Sequence, residues 1–151
     1  MRRKIIAVIG GVEASEEHLK IAEEVGSLIA KRGAVLITGG MGGIMTSASK
    51  GACESDGLVI GILPTADKES ANPYVHIPIV TGIGHARNFI IARTCDCAIA
   101  IDGKYGTLSE IAFCLMCDVP VIGIDTWKLE APITHAKNAV DAVERAFAAI
   151  S

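Results

Sequence analysis

The 151-residue sequence is poor in aromatic residues and has no excess of positive charge. Only 4% of the residues are aromatic although 50% are apolar, so the core must consist mostly of Ile, Val, Leu and Ala. The formal net charge is −3, and no basic stripe runs along the chain. Because nucleic-acid binding depends on clustered Lys and Arg, this balance disfavours DNA or RNA as the main partner. A local anion site built from backbone N–H groups needs no such excess.

No apolar run approaches the roughly 18 residues that a membrane-spanning helix needs, so we expect no membrane partner. The N-terminal apolar run at residues 5–9 superficially resembles a signal peptide. The run is short and Glu13 soon follows it, so we interpret it as a first β-strand that ends in a glycine turn.

The five cysteines favour reduced thiols and a cytoplasmic protein, because their number is odd and the chain is too long to need disulfides for folding. The alternative is a metal site formed by Cys95, Cys97, Cys114 and Cys117. Their spacing does not fit paired CxxC motifs, so we favour burial in the core and expect no metal.

Short apolar runs alternate with segments of helical periodicity along the whole chain. The pattern predicts strands at residues 5–9, 34–38, 58–63, 77–80, 97–101 and 119–124. It predicts helices at 15–32, 44–55, 85–94, 107–117 and 135–150, with loops at 65–75 and 125–134. Strands that are apolar throughout and followed by helices indicate a parallel sheet covered on both faces. We therefore expect one α/β domain over residues 1–151, a Rossmann-like, doubly wound α/β/α fold.

The ends of two predicted helices carry further signals. Ser15 is a typical N-cap for the first helix, and Gly33 is a typical stop. The last helix shows one apolar stripe, which offers a surface for self-association and consists of Ala136, Val140, Val143, Phe147 and Ile150.

Glycine-rich turns follow the first two strands, and ligands in such sheets bind beyond the carboxyl ends of the strands. The first turn contains Gly10 and Gly11, which alone is weak evidence for a ligand. The second turn contains four glycines followed by a methionine, namely Gly39, Gly40, Gly42, Gly43 and Met45. It matches neither a Walker A loop nor GxGxxG. A turn that requires positive φ is the alternative, but four glycines exceed that need, so we predict an anion site at the following helix start.

A third turn carries both glycines and polar groups, in the segment Gly103, Lys104, Tyr105, Gly106 and Thr107. Thr107 offers a hydroxyl and a helix-start N–H to a phosphate. Thr107 and Glu110 also match a capping box, so a purely structural role for Glu110 stays open.

Arg87 and Asn88 open the helix after the fourth predicted strand. A guanidinium group near a helix start can form two hydrogen bonds to a phosphate or carboxylate. His85 beside them is more typical of a cap or surface residue than of a general base. The sequence shows no arrangement of Ser, His and Asp that is typical of a catalytic triad.

These motifs together resemble the LONELY GUY (LOG) family, also called possible lysine decarboxylases. The resemblance is closer to the short branch of that superfamily that includes molybdenum cofactor carrier proteins. The family pattern GGxxGxM is matched by residues 39–45, and PGGxGTxxE by residues 102–110. The pattern MHxRK is matched in part by residues 84–88.

The resemblance implies hydrolysis of nucleoside 5′-monophosphates to a free base and ribose 5-phosphate, with Arg87 and Glu110 as the catalytic pair and no required cofactor. Glu110 would stabilise an oxocarbenium-like ribosyl centre or orient water, and Arg87 would position the substrate. The glycine turns would hold the phosphate. Four residues depart from the family pattern: Asp102 replaces Pro, Lys104 replaces the second Gly, Asn88 replaces Lys, and Gly84 stands where the pattern has Met before His85.

The short branch implies an alternative, a non-catalytic carrier of molybdopterin (molybdenum cofactor) or a related phosphorylated ligand. The resemblance also implies a homodimer or a larger homo-oligomer. A distant similarity to the DprA/Smf domain raises a third possibility, a DNA-processing module, which the acidic charge disfavours.

Overall fold

The computed structural model describes all 151 residues and contains one seven-stranded, all-parallel sheet. The strands are β1 (Ile5–Gly10), β2 (Val35–Thr38), β3 (Val59–Leu63), β4 (Ile77–Val80), β5 (Cys97–Ile101), β6 (Val121–Ile124) and β7 (Ile133–His135). The helices are α1 (Glu16–Lys31), α2 (Ile44–Glu54), α3 (Arg87–Thr94), α4 (Tyr105–Met116) and α5 (Ala139–Ile150), with 3₁₀ turns at Lys68–Ser70 and Gly84–Ala86. The strand order is β4-β3-β2-β1-β5-β6-β7. The α/β expectation is confirmed.

Helices cover both faces of the sheet, as alternate side chains of the same buried strand demand. In β1, Ile6 and Val8 pack into the larger apolar cluster, which α1, α2 and α5 complete. Ala7 and Ile9 point to the opposite face and pack into a second cluster with α3 and α4. The three-layer, doubly wound arrangement is therefore confirmed. None of the helices combines the length and apolar character that crossing a membrane requires.

The first helix begins and ends where the sequence indicates. The Ser15 side chain accepts a hydrogen bond of 3.2 Å from the backbone N–H of His18, which satisfies one donor of the first turn. Gly33 has a φ of +79°, which only glycine adopts without strain, and the chain turns there into β2.

The C-terminal part differs from the prediction. Residues 133–135, assigned to a loop and the first turn of the last helix, form β7, which pairs in parallel with β6. The helix α5 begins only at Ala139, where Asn138 caps it by accepting from the N–H of Asp141 at 2.9 Å. A three-residue strand is too short to show periodicity, so the apolar and polar residues before the cap were wrongly included in the helix.

The apolar stripe predicted for α5 is also shifted. Val140 is 45% exposed, and Ala136 precedes the helix. The buried face is formed instead by small side chains, namely Ala139, Ala142, Val143 and Ala146, whereas Phe147 and Ile150 are partly buried beside them. This face packs against α1 and the sheet, so the predicted stripe is not a continuous free surface, and its use for self-association stays a prediction.

Candidate functional site

A cavity of about 550 Å³ opens at the carboxyl edge of the sheet. It lies beside β1, where the strand order reverses: β2 to β4 continue on one side of β1, and β5 to β7 continue on the other. In doubly wound sheets this switch point is where ligands bind. Most of the predicted site residues line the cavity: Gly10, Gly11, Met45, Arg87, Asn88, Lys104, Gly106, Thr107 and Glu110.

The glycines of the second turn are not among the residues that line the cavity, although Met41 and Met45 beside them are. The carbonyl of Gly39 accepts from Arg87 Nη2 at 3.4 Å, and a Cβ atom at Gly39 would lie 2.5 Å from the same nitrogen. The N–H of Gly40 donates to Thr38 Oγ1 at 3.0 Å. Gly43 has a φ of +63°, and a Cβ there would lie 2.2 Å from the carbonyl oxygen of Val12. These contacts show glycine shaping the wall, whereas anion binding by Gly42 and its neighbours stays a prediction.

The third turn presents free donors at the start of α4. The N–H groups of Gly103 and Lys104 have no acceptor in the protein. The first-turn N–H groups of Tyr105, Gly106 and Thr107 have no intrahelical acceptor, as at any helix start. Their dipoles make this helix start attractive to an anion. Tyr105 itself is exposed outside the cavity and packs against the Trp127 ring, with the ring centroids 6.1 Å apart.

The third turn is held in place from β6 and the segment after it. The N–H of Asp102 donates to the carbonyl of Ile124 at 3.0 Å. The Thr126 hydroxyl donates to the carbonyl of Asp102 at 2.7 Å. The free donors therefore belong to a fixed segment, and an anion would not have to order the turn.

The capping-box alternative for Glu110 is wrong. The helix α4 begins at Tyr105, two residues earlier than predicted, so Thr107 lies inside the first turn. Lys104 occupies the N-cap position and makes no side-chain capping bond. Glu110 consequently has no part in the cap and lines the cavity.

Glu110 is a buried carboxyl group without a protein partner. Its side chain takes part in no hydrogen bond or ion pair, and the residue is only 8% exposed. Because no fully buried side-chain oxygen lacks a partner, its oxygens must face the cavity. Burial raises the pKa of Glu110 to about 8, although the nearby charge of Arg87 acts in the opposite direction. The carboxyl group is therefore mostly protonated at neutral pH.

Arg87 is buried against the ends of β2 and β3. Its Nε donates to the carbonyl of Ile62 at 2.8 Å, its Nη1 donates to the Asn88 side-chain oxygen, and the residue is 6% exposed. Burial lowers the pKa of Arg87, and Glu110 opposes this shift. Asn88 Nδ2 donates to Ser109 Oγ at 3.1 Å, so both ends of the Asn88 amide are engaged within the protein. Asn88 thus links Arg87 to α4.

Other residues of the cavity were not singled out from the sequence. Val12, Met41 and Pro64 line the cavity with Met45, and together they supply apolar surface. Glu13 and His85 also line it, although His85 was interpreted as a cap or surface residue. The position of Glu13 directly after the first glycine turn was a usable signal. The apolar residues gave no such signal, because their spacing does not distinguish residues of a cavity wall from residues of the core.

The sequence model of the SLOG cluster4 family matches residues 3–149 of the chain. The chain belongs to this family. It is 49% identical, over 76% of each chain, to an uncharacterized protein of Archaeoglobus fulgidus. It is 36% identical to the cytokinin riboside 5′-monophosphate phosphoribohydrolase LOG5 of Arabidopsis thaliana, over 64% of this chain but only 42% of that enzyme. The resemblance to LOG proteins is confirmed.

Solved structures of similar proteins cover the whole chain. The molybdenum cofactor binding protein of Rippkaea orientalis has a TM-score of 0.95 and 37% identity, covering 100% of this chain and 99% of that one. The molybdenum cofactor carrier protein of Chlamydomonas reinhardtii has a TM-score of 0.90 and 34% identity, covering 98% of both. DNA processing protein A of Helicobacter pylori, at 16% identity and a TM-score of 0.73, shares the fold alone. The similarity to the carrier branch is confirmed.

Proposed function

We propose that the cavity binds a phosphorylated, nucleotide-like ligand and that the protein hydrolyses the N-glycosidic bond of nucleoside 5′-monophosphates. The observation that carries the proposal is that unpaired N–H donors at the start of α4 and the buried Arg87 and Glu110 side chains meet in one cavity. Its volume of about 550 Å³ is typical of small-molecule sites. The plant relative named as a phosphoribohydrolase supports this reaction class.

The distribution of polar and apolar groups suggests how the ligand lies. The phosphate would bind the N–H groups around Lys104 to Thr107, where the helix dipole favours negative charge. The base would contact the apolar wall that includes Val12, Met41 and Pro64. The glycosidic bond would then lie near Glu110.

The environment of Glu110 favours an acid rather than a carboxylate in the reaction. Its pKa of about 8 leaves it protonated at neutral pH, so it can donate a proton to the departing base while the bond from C1′ to the base nitrogen breaks. Water then adds its hydroxyl group to C1′, and its remaining proton returns to Glu110. Arg87 and the α4 start would hold the ribose 5-phosphate in place.

A nucleotide-panel assay tests this function directly. We expect ribose 5-phosphate and free base from one or more nucleoside 5′-monophosphates, and no product from Glu110→Gln, which cannot donate the proton. Glu144→Gln on α5, which is exposed, is the matched control and should retain full activity. Product from Glu110→Gln at the unaltered rate would contradict the assigned acid, and no product from the unaltered protein with any nucleotide would contradict hydrolysis.

The pH profile tests the protonation state. A group with a raised pKa of about 8 is protonated below that pH, so kcat/KM, which reports the free protein, should fall as the pH rises through about 8. A kcat/KM that instead increases through the same range would show that the carboxylate is the active form.

A second candidate function is non-catalytic carriage of the molybdenum cofactor or another phosphorylated pterin. The carrier structures match the whole chain, whereas the chain spans less than half of the Arabidopsis enzyme. The residues fit such a cargo, since the N–H groups at α4 suit a terminal phosphate and the apolar wall suits a planar ring. Native mass spectrometry of protein purified from a host that makes the cofactor should show it bound. Absence of any retained ligand, together with nucleotide hydrolysis, would reject carriage.

We also propose that the protein is cytoplasmic and self-associates. All five cysteines are free, and Cys95, Cys97 and Cys114 are buried, which suits a reducing compartment.

Exposed apolar side chains cluster on the edge strand β4 and just after it, at Ile77, Ile79, Val80 and Ile83. An edge strand with an apolar surface is a natural site for contact between copies.

A further inference from the structure

An ion pair crosses the mouth of the cavity. Lys104 Nζ lies 3.5 Å from Glu13 Oε2, and the two side chains are 79% and 87% exposed. Glu13 follows the first glycine turn and Lys104 belongs to the third, so the pair connects the two turns that flank the cavity. Both residues line the cavity, so a ligand bound there lies near them.

Lys104 combines a fixed backbone with a mobile charge. Its carbonyl accepts from the N–H of Leu108 at 3.0 Å and from Trp127 Nε1 at 3.0 Å. Its ammonium group contacts no acidic group other than Glu13. The ammonium can therefore turn toward a ligand without disturbing the turn that holds it.

The other cation of the cavity is not free in this way. Three donor atoms of the Arg87 guanidinium already bond to Ile62, Gly39 and Asn88. Burial holds that side chain in place. Lys104 is consequently the cation that can follow an incoming phosphate, and Glu13 is the anion that occupies it beforehand.

We propose that the Glu13 carboxylate competes with ligands for the Lys104 ammonium group. A dianionic phosphate would displace this carboxylate from the ammonium, whereas a more weakly charged anion would not. An exposed ion pair is weak, so exchange costs little. A phosphate monoester carries a charge of about −1.5 to −2 at pH 7 and outcompetes one carboxylate, whereas a singly charged group only equals it. The pair would thus select phosphorylated ligands. This inference rests on the proposed phosphate site and adds its selectivity.

A double-mutant cycle with AMP and adenosine as probes tests the competition by calorimetry. Every protein in the cycle, including the parent, also carries Glu110→Gln, so that AMP is bound but not hydrolysed. In Glu13→Gln the affinity for AMP should rise about two- to fivefold, the scale of an exposed ion pair, and the affinity for adenosine should not change. In Lys104→Gln the affinity for AMP should fall. The double variant should bind AMP like Lys104→Gln, because Glu13 acts only through Lys104.

The outcomes separate the inference from the proposed function. Glu144→Gln removes the same charge at an exposed position on α5 and should leave AMP binding unchanged. If Glu13→Gln has no effect, or strengthens AMP binding equally with and without Lys104, competition for the ammonium is overturned although the phosphate site stands. If the Glu110→Gln parent binds AMP no better than adenosine, the phosphate site itself fails and the inference fails with it. Because both side chains of the ion pair are exposed, each variant should melt like this parent.

Discussion

The substitution Glu110→Gln should change how the stability of the protein depends on pH. In the unfolded chain the carboxyl group loses its proton near the ordinary pKa of 4.5, whereas in the folded protein it keeps the proton until about pH 8. Between these values the folded state binds more protons than the unfolded state. Its free energy of unfolding therefore falls as the pH rises. Glutamine cannot ionise, so the variant lacks this contribution.

The size of the effect follows from the shift. Each pH unit between the two pKa values contributes about 1.36 kcal/mol, so a rise from 4.5 to about 8 corresponds to at most about 5 kcal/mol. This contribution is fully present below pH 4.5 and is lost progressively as the pH rises from 4.5 to about 8.

Urea unfolding of the unaltered protein and of Glu110→Gln at several pH values from 5 to 9 measures this quantity. The difference in unfolding free energy between the two proteins cancels the titration of all other groups. The variant should gain stability relative to the unaltered protein with increasing pH. Glu144→Gln reports the effect of the same substitution at an exposed position.

Two results would refute the reasoning. A difference that stays constant over this pH range would mean that Glu110 ionises alike in both states, so that burial is offset by an interaction the structure lacks. A difference of opposite sign would mean that Arg87 stabilises the carboxylate more strongly than burial disfavours it. Either result would also remove the basis for Glu110 as an acid in hydrolysis.

Three further substitutions test the turns, the last helix and self-association. Gly43→Ala should destabilise the fold by about 2–4 kcal/mol in urea unfolding, because φ is +63° and the new Cβ would lie 2.2 Å from the carbonyl oxygen of Val12. Gly106→Ala is the control, since nothing lies within 4 Å of its Cβ position, and a similar loss there would contradict the explanation. Asn138→Ala removes the cap of α5, which accepts a 2.9 Å hydrogen bond, and should cost about 1 kcal/mol in thermal melting; an unchanged midpoint would show that the cap contributes nothing. Ile79→Lys should yield a monomer by light scattering if copies associate through β4, and an unchanged oligomer would exclude that edge.

The sheet and its order of elements were predictable because buried parallel strands leave a strong local signal. Residues 97–101 are apolar throughout and form β5 with the predicted bounds. The start of α4 was missed by two residues, because Thr107 looks like a cap and Tyr105 carries no helix-start signal. The strand β7 was missed because it has three residues and is recognised only by its pairing with β6.

The location of the site could be predicted from the sequence, but the roles of its individual residues could not. The glycine turns and Arg87 were assigned to one edge of the sheet, and the cavity lies there. The roles within the site depend on contacts distant in sequence. Gly39 is 48 positions from Arg87, and only the fold shows that its missing side chain makes room for the guanidinium group. No local pattern could distinguish that need from anion binding.

Phosphate binding was predicted at both the second and the third turn, and the contacts favour the third. Gly40 already donates its N–H to Thr38, and Gly43 is required for a close approach to Val12, so glycine has a structural explanation at both positions. At the third turn, Gly103 and Lys104 keep free N–H groups in a segment fixed from β6. A fixed set of unpaired donors costs less to desolvate and orient than a turn that must rearrange, so we expect the third turn to be the stronger anion site. Two of the departures from the family pattern, Asp102 and Lys104, fall in this same turn, and selectivity should therefore change there first.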